Sequence, residues 1–255
     1  MLRNLTPMKI IAILLFLRIP VLFMGVFGII SEDIALVMFL IFTYLFTAMF
    51  IEKYSGQLTD YFITPTSIII FLLAPFFGIL TMNDDPTAYI RAIIAIRLVY
   101  VLYKKNYFKS TKINKSEYNP LNILLLLIFI GIFIQLEKYI GLSDIRLSEL
   151  EPRRFVYEFM FQISFAVASE EPLFRGMMMG EMLKRKFRPA LAILIQGGIF
   201  WFGHIYYINT GLNFWIIHPI LAIMLGIIAY KGKSITNSMV FHGMVNSLGS
   251  LFLAR

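Results

Sequence analysis

Apolar runs of about 20 residues recur from one end of the chain to the other, separated by short stretches rich in lysine, arginine and acidic residues. A run of that length crosses the hydrocarbon core of a bilayer as an α-helix. The pattern predicts spans near 8–30, 34–51, 66–82, 88–103, 121–140, 155–180, 189–208, 212–230 and 234–253. Pro75 interrupts the third run, and Arg91 and Arg97 fall in the fourth, so the expected count is eight or nine. The expected fold class is all-α, a polytopic transmembrane helical bundle.

Composition points the same way. Of 255 residues, 59% are hydrophobic and 15% charged, whereas soluble domains run nearer half apolar and a quarter charged. The net charge of +8 suggests nucleic acid at first sight. Its placement argues otherwise, because most of the lysines and arginines fall in loops between apolar runs, where they set topology. An N-terminus in the cytoplasm puts the larger basic share inside, including Lys104, Lys105, Lys184, Arg185, Lys186 and Arg188. The loop at 137–154 fits this least, its basic residues being matched by Glu137, Asp144, Glu149 and Glu151. The opening stretch resembles a signal peptide, but Arg18 and Pro20 interrupt it and no small-residue cleavage site follows, so a retained first helix is expected. The absence of cysteine excludes disulfides, thiolate ligands and a cysteine nucleophile.

Ionisable residues inside a span mark function by default. The first half offers Arg18, Arg91 and Arg97, while all three histidines lie in the last 60 residues or so. The sixth run holds "ASEEPLFRG", with Glu170, Glu171 and Arg175. Glu171 and Arg175 are four apart, on one helix face, and can pair; a buried ion pair that locks helices together would account for both. Glu170 is rotated by about 100° and is left over, since adjacent carboxylates have only one cation in that run. Pro172 predicts a kink beside them. The seventh run pairs Phe200 with His204, and the ninth pairs His242 with Asn246, each one helical turn apart. At about 1.5 Å per residue, Glu170 lies roughly 15 Å into its span, His242 roughly 12 Å, Asn246 roughly 18 Å and His204 roughly 22 Å. In a core about 30 Å thick these four can meet. His218, followed by Pro219, reads as a structural or supporting residue. No phosphate loop, G-x-S-x-G elbow or H-E-x-x-H pair is present.

Glu170-Glu171-x-x-x-Arg175, Phe200-x-x-x-His204 and His242-x-x-x-Asn246, in that order on successive apolar segments, resemble the CAAX-protease and bacteriocin-processing family of intramembrane proteases, to which the type II prenyl-protein endopeptidases belong. The resemblance covers residues 155–250 approximately, and Pro172 stands where an aliphatic residue is more usual. It divides the chain into N-terminal helices over 1–150 without motifs and a protease core over 151–255. It implies peptide-bond hydrolysis in a cavity built from the C-terminal spans, in which Glu170 activates water with help from His204. His242 and Asn246 would stabilise the oxyanion, and Glu171 with Arg175 would support the site. The implied partners are a peptide or membrane-protein substrate and the lipid bilayer, with no nucleic acid.

A zinc ion held by Glu170, His204 and His242 is the mechanistic rival, and the sequence does not decide between the two. Asn246 beside His242 suits an oxyanion role better than a metal shell, which favours the metal-free reading. Two other functions compete: a non-catalytic scaffold or immunity protein of the same family, which would tolerate Glu170→Ala, and a proton-coupled transporter. Transporters are often built from two related halves, and none is visible here. Short loops and an Ile/Phe/Lys-rich composition suggest a bacterial plasma membrane.

Overall fold

The structure is a computed structural model and describes residues 5–81, 85–110 and 151–253, together with Glu117, Leu124, residues 127–132 and Gln135. Among the described residues there is no strand. Helix α1, Pro7–Val26, begins where the Thr6 hydroxyl accepts from the Lys9 amide and Pro7 takes the first helical position. It widens into a π-helical turn at Leu17–Val21, around Pro20. Proline supplies no amide hydrogen and crowds the preceding turn, and a π turn accommodates it by opening the ladder one residue wider. Helix α2, Glu32–Lys53, is capped by Ser31 and carries Glu32 and Asp33 in its first turn and Lys53 in its last. Each of these charges complements the helix dipole.

Helices α3, Pro65–Thr81, and α4, Pro86–Lys104, follow. The two arginines that interrupt the fourth apolar run are both accounted for. Arg91 is buried, its Nη1 donating to the Ser164 carbonyl at 2.8 Å and its Nη2 lying 3.6 Å from Asp85. Arg97 sits near the end of the helix and meets Glu52 at 2.7 Å. Helix α5 runs over 152–184 as alternating segments: α-helical Pro152–Gln162, π-helical Ile163–Val167, α-helical Ala168–Glu171, π-helical Pro172–Met178 and α-helical Met179–Lys184. The kink expected at Pro172 takes the form of this second π segment, which starts at the proline. Helices α6, Pro189–Phe202, α7, Asn213–Gly232, and α8, Thr236–Leu253, complete the described chain.

Helix α5 is the centre. Helix α1 packs on its Pro172–Met178 segment, α2 on Ala168–Glu171, α3 on Ile163–Val167, and α8 on both Pro152–Gln162 and Ile163–Val167. Two glycines permit this closeness. A Cβ on Gly78 of α3 would lie 2.5 Å from the Ser164 hydroxyl, and one on Gly243 of α8 would lie 2.8 Å from the Phe159 ring. Large apolar side chains face outward, among them Ile93, Ile96, Val99 and Tyr103 of α4 and Leu194 of α6. The polar groups face inward: Arg18, Arg91, Glu170, Glu171, Arg175, Gln196, His204 and His242 are all buried. That distribution suits a chain whose surroundings are hydrocarbon and whose polar groups must satisfy one another.

Four helices are long and apolar enough to cross a membrane: Pro7–Val26, Glu32–Lys53, Pro86–Lys104 and Asn213–Gly232. Pro65–Thr81 and Pro189–Phe202 are shorter apolar helices. The expected sixth and ninth spans are helical over 152–184 and Thr236–Leu253 but carry more polar residues. The seventh is α-helical only to Phe202; beyond it the chain tightens into 3-10 turns at Ile205–Thr210. The predicted span at 121–140 is described only at Leu124, 127–132 and Gln135, which are helical, and the loop at 137–154 lies mostly outside the described residues.

Candidate active site

Two neighbouring glutamates on α5 each gather an arginine and a histidine. Glu171 takes its arginine from the next turn: Arg175 Nη1 donates to Oε1 at 3.0 Å, and both side chains are completely buried. The rest of that guanidinium is well used. Its Nη2 donates to the Ala222 carbonyl of α7 at 3.3 Å, and its plane lies 4.2 Å from the centre of the Phe200 ring, a cation–π contact. His242 Nδ1 lies 2.8 Å from the same Oε1. A carboxylate accepts, so this nitrogen carries the hydrogen and, in the neutral ring, the lone pair is on Nε2.

Glu170 has a different arrangement, and here the sequence expectation is corrected. Its charge is not left over. Arg18 of α1 reaches it, Nη2 to Oε1 at 2.5 Å, with both groups buried. The same Nη2 donates to His204 Nε2 at 2.9 Å. The second cation was missed because it lies far away in sequence, and nothing in helical spacing links position 18 to position 170. The signal that could have found it was Arg18 itself, since an arginine inside a span needs a partner.

His204 stands just beyond the end of α6, in a non-helical conformation. Its Nδ1 lies 2.7 Å from the Phe200 carbonyl and its ring 4.5 Å from that of Phe200. The carbonyl requires a donor, so Nδ1 carries the hydrogen, and Nε2 is the acceptor for Arg18. Phe200 is therefore shared: it backs His204, the Arg175 guanidinium and, edge-on at 6.0 Å, His242.

These groups surround a cavity of about 390 Å³, lined among others by Arg18, Glu170, His204, His242 and Asn246. Glu171 and Arg175 do not line it. Glu170 Oε2 has no hydrogen-bonding partner among the described residues and lies 3.7 Å from His242 Nε2, while Oε1 lies 3.8 Å from His204 Nε2. Asn246 Nδ2 donates to Gln162 Oε1 at 3.2 Å, so the amide of Asn246 is fixed in the wall by a residue that spacing alone did not single out. His218 also lines the cavity, its Nδ1 2.9 Å from the Asn213 carbonyl and its ring 5.2 Å from that of His204. The structure thus brings Glu170, His204, His242 and Asn246 around one space.

The donor set does not fit a zinc ion. Such an ion needs the lone pairs of its histidines and carboxylate at about 2.0–2.2 Å, and the lone pair of His204 Nε2 is turned to the Arg18 guanidinium, which already bridges His204 and Glu170. Among the described residues no group of three or more His, Asp or Glu is disposed to hold a metal.

Residues 152–248 match the model of the family described as type II CAAX prenyl endopeptidase Rce1-like. This part of the chain is similar to that family. The match runs from the first turn of α5 into α8 and contains Glu170, Glu171, Arg175, His204, His242 and Asn246. It agrees with the resemblance to the CAAX-protease and bacteriocin-processing family and supports a protease. Arg18 lies outside the matched segment. No curated protein and no solved structure matches the chain.

Proposed function

We propose that this protein is an intramembrane endopeptidase in which Glu170 activates water for attack on a peptide bond. The observation that carries the reading is Glu170 Oε2, buried without a hydrogen-bonding partner among the described residues, on a side chain that lines the cavity and with His242 Nε2 3.7 Å away. A water molecule fits between two acceptors: it gives one hydrogen to each and aims its oxygen lone pair at a substrate carbonyl carbon. On attack, the proton passes to Glu170, a bond forms between water oxygen and carbonyl carbon, and the carbonyl π pair moves onto oxygen. Collapse breaks the C–N bond, and the leaving amine takes the proton from Glu170. Amide and water become acid and amine, and Glu170 is regenerated.

The tautomers favour a revised distribution of roles. His204 has both nitrogens engaged, whereas His242 turns an acceptor toward the water, so His242 assists Glu170 and His204 holds the arrangement in place. Asn246 retains the role of amide donor toward the developing oxyanion. The N-terminal helices over 1–150 hold the core over 151–255 and supply Arg18. A peptide or membrane protein is the substrate; trimming of prenylated CAAX ends is what the family name suggests, and peptide maturation is the alternative for a bacterial membrane.

The test compares wild type with Glu170→Ala in membranes of the producing cell, by proteomics of membrane proteins and peptides. At least one species should accumulate uncleaved in the variant. Indistinguishable profiles would reject the protease reading in favour of a scaffold. Phenanthroline should leave cleavage unchanged, and restoration by zinc of a chelator-dependent loss would restore the metal reading.

A further inference from the structure

Arg18 meets more partners than a helix tie requires. Its guanidinium contacts Glu170 Oε1 and His204 Nε2 and lies over the Phe39 ring of α2, 5.3 Å from its centre. It also sits between two cavities. The first is the one around Glu170. The second, of about 310 Å³, is lined by Leu22, Val26 and Phe39 and reaches Glu32 and Asp33 at the start of α2, and Arg18 lines both. Arg18 is carried on the π-helical turn of α1 and is buried there.

The charge balance shows what it contributes. Glu170 and Glu171 bring two negative charges into a water-poor space, and Arg175 neutralises Glu171 alone. A hydrolytic site also needs positive potential where the carbonyl oxygen becomes an oxyanion, and such preorganised charge is worth most where water is excluded. In metal-dependent hydrolases the ion supplies it. Here the donors that would have held an ion are bridged by a guanidinium instead.

We infer that Arg18 is the fixed cation of this site, a positioning residue from outside the family-matched segment that occupies the place a metal ion would need. It acts through its two contacts. By binding Oε1 it leaves Oε2 as the oxygen that takes the proton from water, and by engaging His204 Nε2 it fixes that ring as the Nδ1–H tautomer. The inference rests on the hydrolase reading above.

The experiment uses the full chain in lipid nanodiscs and the substrate recovered from the Glu170→Ala comparison. For Arg18→Ala, kcat should fall about 100-fold, the scale of losing one preorganised electrostatic group, with KM changed less than about twofold. Methylguanidinium should restore kcat in a saturable way, since the space vacated adjoins the second cavity, and uncharged methylurea should not. Independently of activity, Arg18→Gln should lower the melting temperature, and Arg18→Gln combined with Glu170→Gln should recover most of the loss. Retention of kcat within about threefold, a loss confined to KM, or failure of methylguanidinium with a protein that is still folded would overturn the inference. If wild type and Glu170→Ala cleave alike, the hydrolase reading fails instead, and the melting cycle still decides whether Arg18 and Glu170 act as a pair.

Discussion

The two halves of the site are built from the same three residue types with opposite outcomes. Glu171, Arg175 and His242 form one set, and Glu170, Arg18 and His204 the other. In the first, glutamate and arginine are neighbours on one helix, fully buried, and away from the cavity. In the second, glutamate and arginine come from helices far apart in the sequence and line the cavity together. The lesson is that burial of an ion pair is not by itself a functional sign. What separates the halves is that Glu170 lines the cavity, whereas Glu171 is enclosed away from it and holds His242.

The comparison breaks most visibly at Glu170. Replacement by alanine should reduce cleavage by about 100- to 10,000-fold, the usual contribution of general acid–base catalysis, measured as turnover of purified protein. Arg175→Met attacks the enclosed half. It leaves Glu171 buried without its cation and should cost about 3–5 kcal/mol of stability, read from thermal unfolding in detergent. Activity per folded molecule should fall less than in Glu170→Ala. Gly243→Ala presses on the joint between the halves, because His242 is the next residue on α8. Crowding against Phe159 should cost about 1–3 kcal/mol, and cleavage should fall as His242 shifts. Arg97→Ala serves as the reference for an ordinary pair. Arg97 is half exposed where it meets Glu52, so the loss should stay below about 1 kcal/mol, with turnover unchanged.

The enclosed half was legible in the sequence because its geometry is local. Four residues along an α-helix return to the same face whatever surrounds them, so Glu171 and Arg175 could be paired on sight. Depth counting also brought Glu170, His204, His242 and Asn246 to similar levels, because rise per residue is a property of the helix alone. The open half was only partly legible. Arg18 was recognised as an arginine inside a span, yet its partner depends on how α1 and α2 lie against α5. Pro20 and Pro172 announced irregular helix but not its kind. Whether a proline bends a helix or opens a π turn depends on which neighbours take up the freed carbonyl groups. Arg91 donating to the Ser164 carbonyl, within another π segment, is an instance of such a neighbour.

Hydrophobic patterning along the sequence is enough to give a helical membrane protein, and helical spacing is enough to pair one glutamate with one arginine a turn away. Each of these follows from hydrophobic periodicity and from distances within a single helix. Only the tertiary fold shows that Arg18 belongs with Glu170, and that His204 Nε2 is engaged by that guanidinium while His242 Nε2 is turned to the other oxygen of Glu170. Those outcomes depend on contacts between segments far apart in the chain. Such contacts are selected by the need of every buried polar group to find a partner once water is removed.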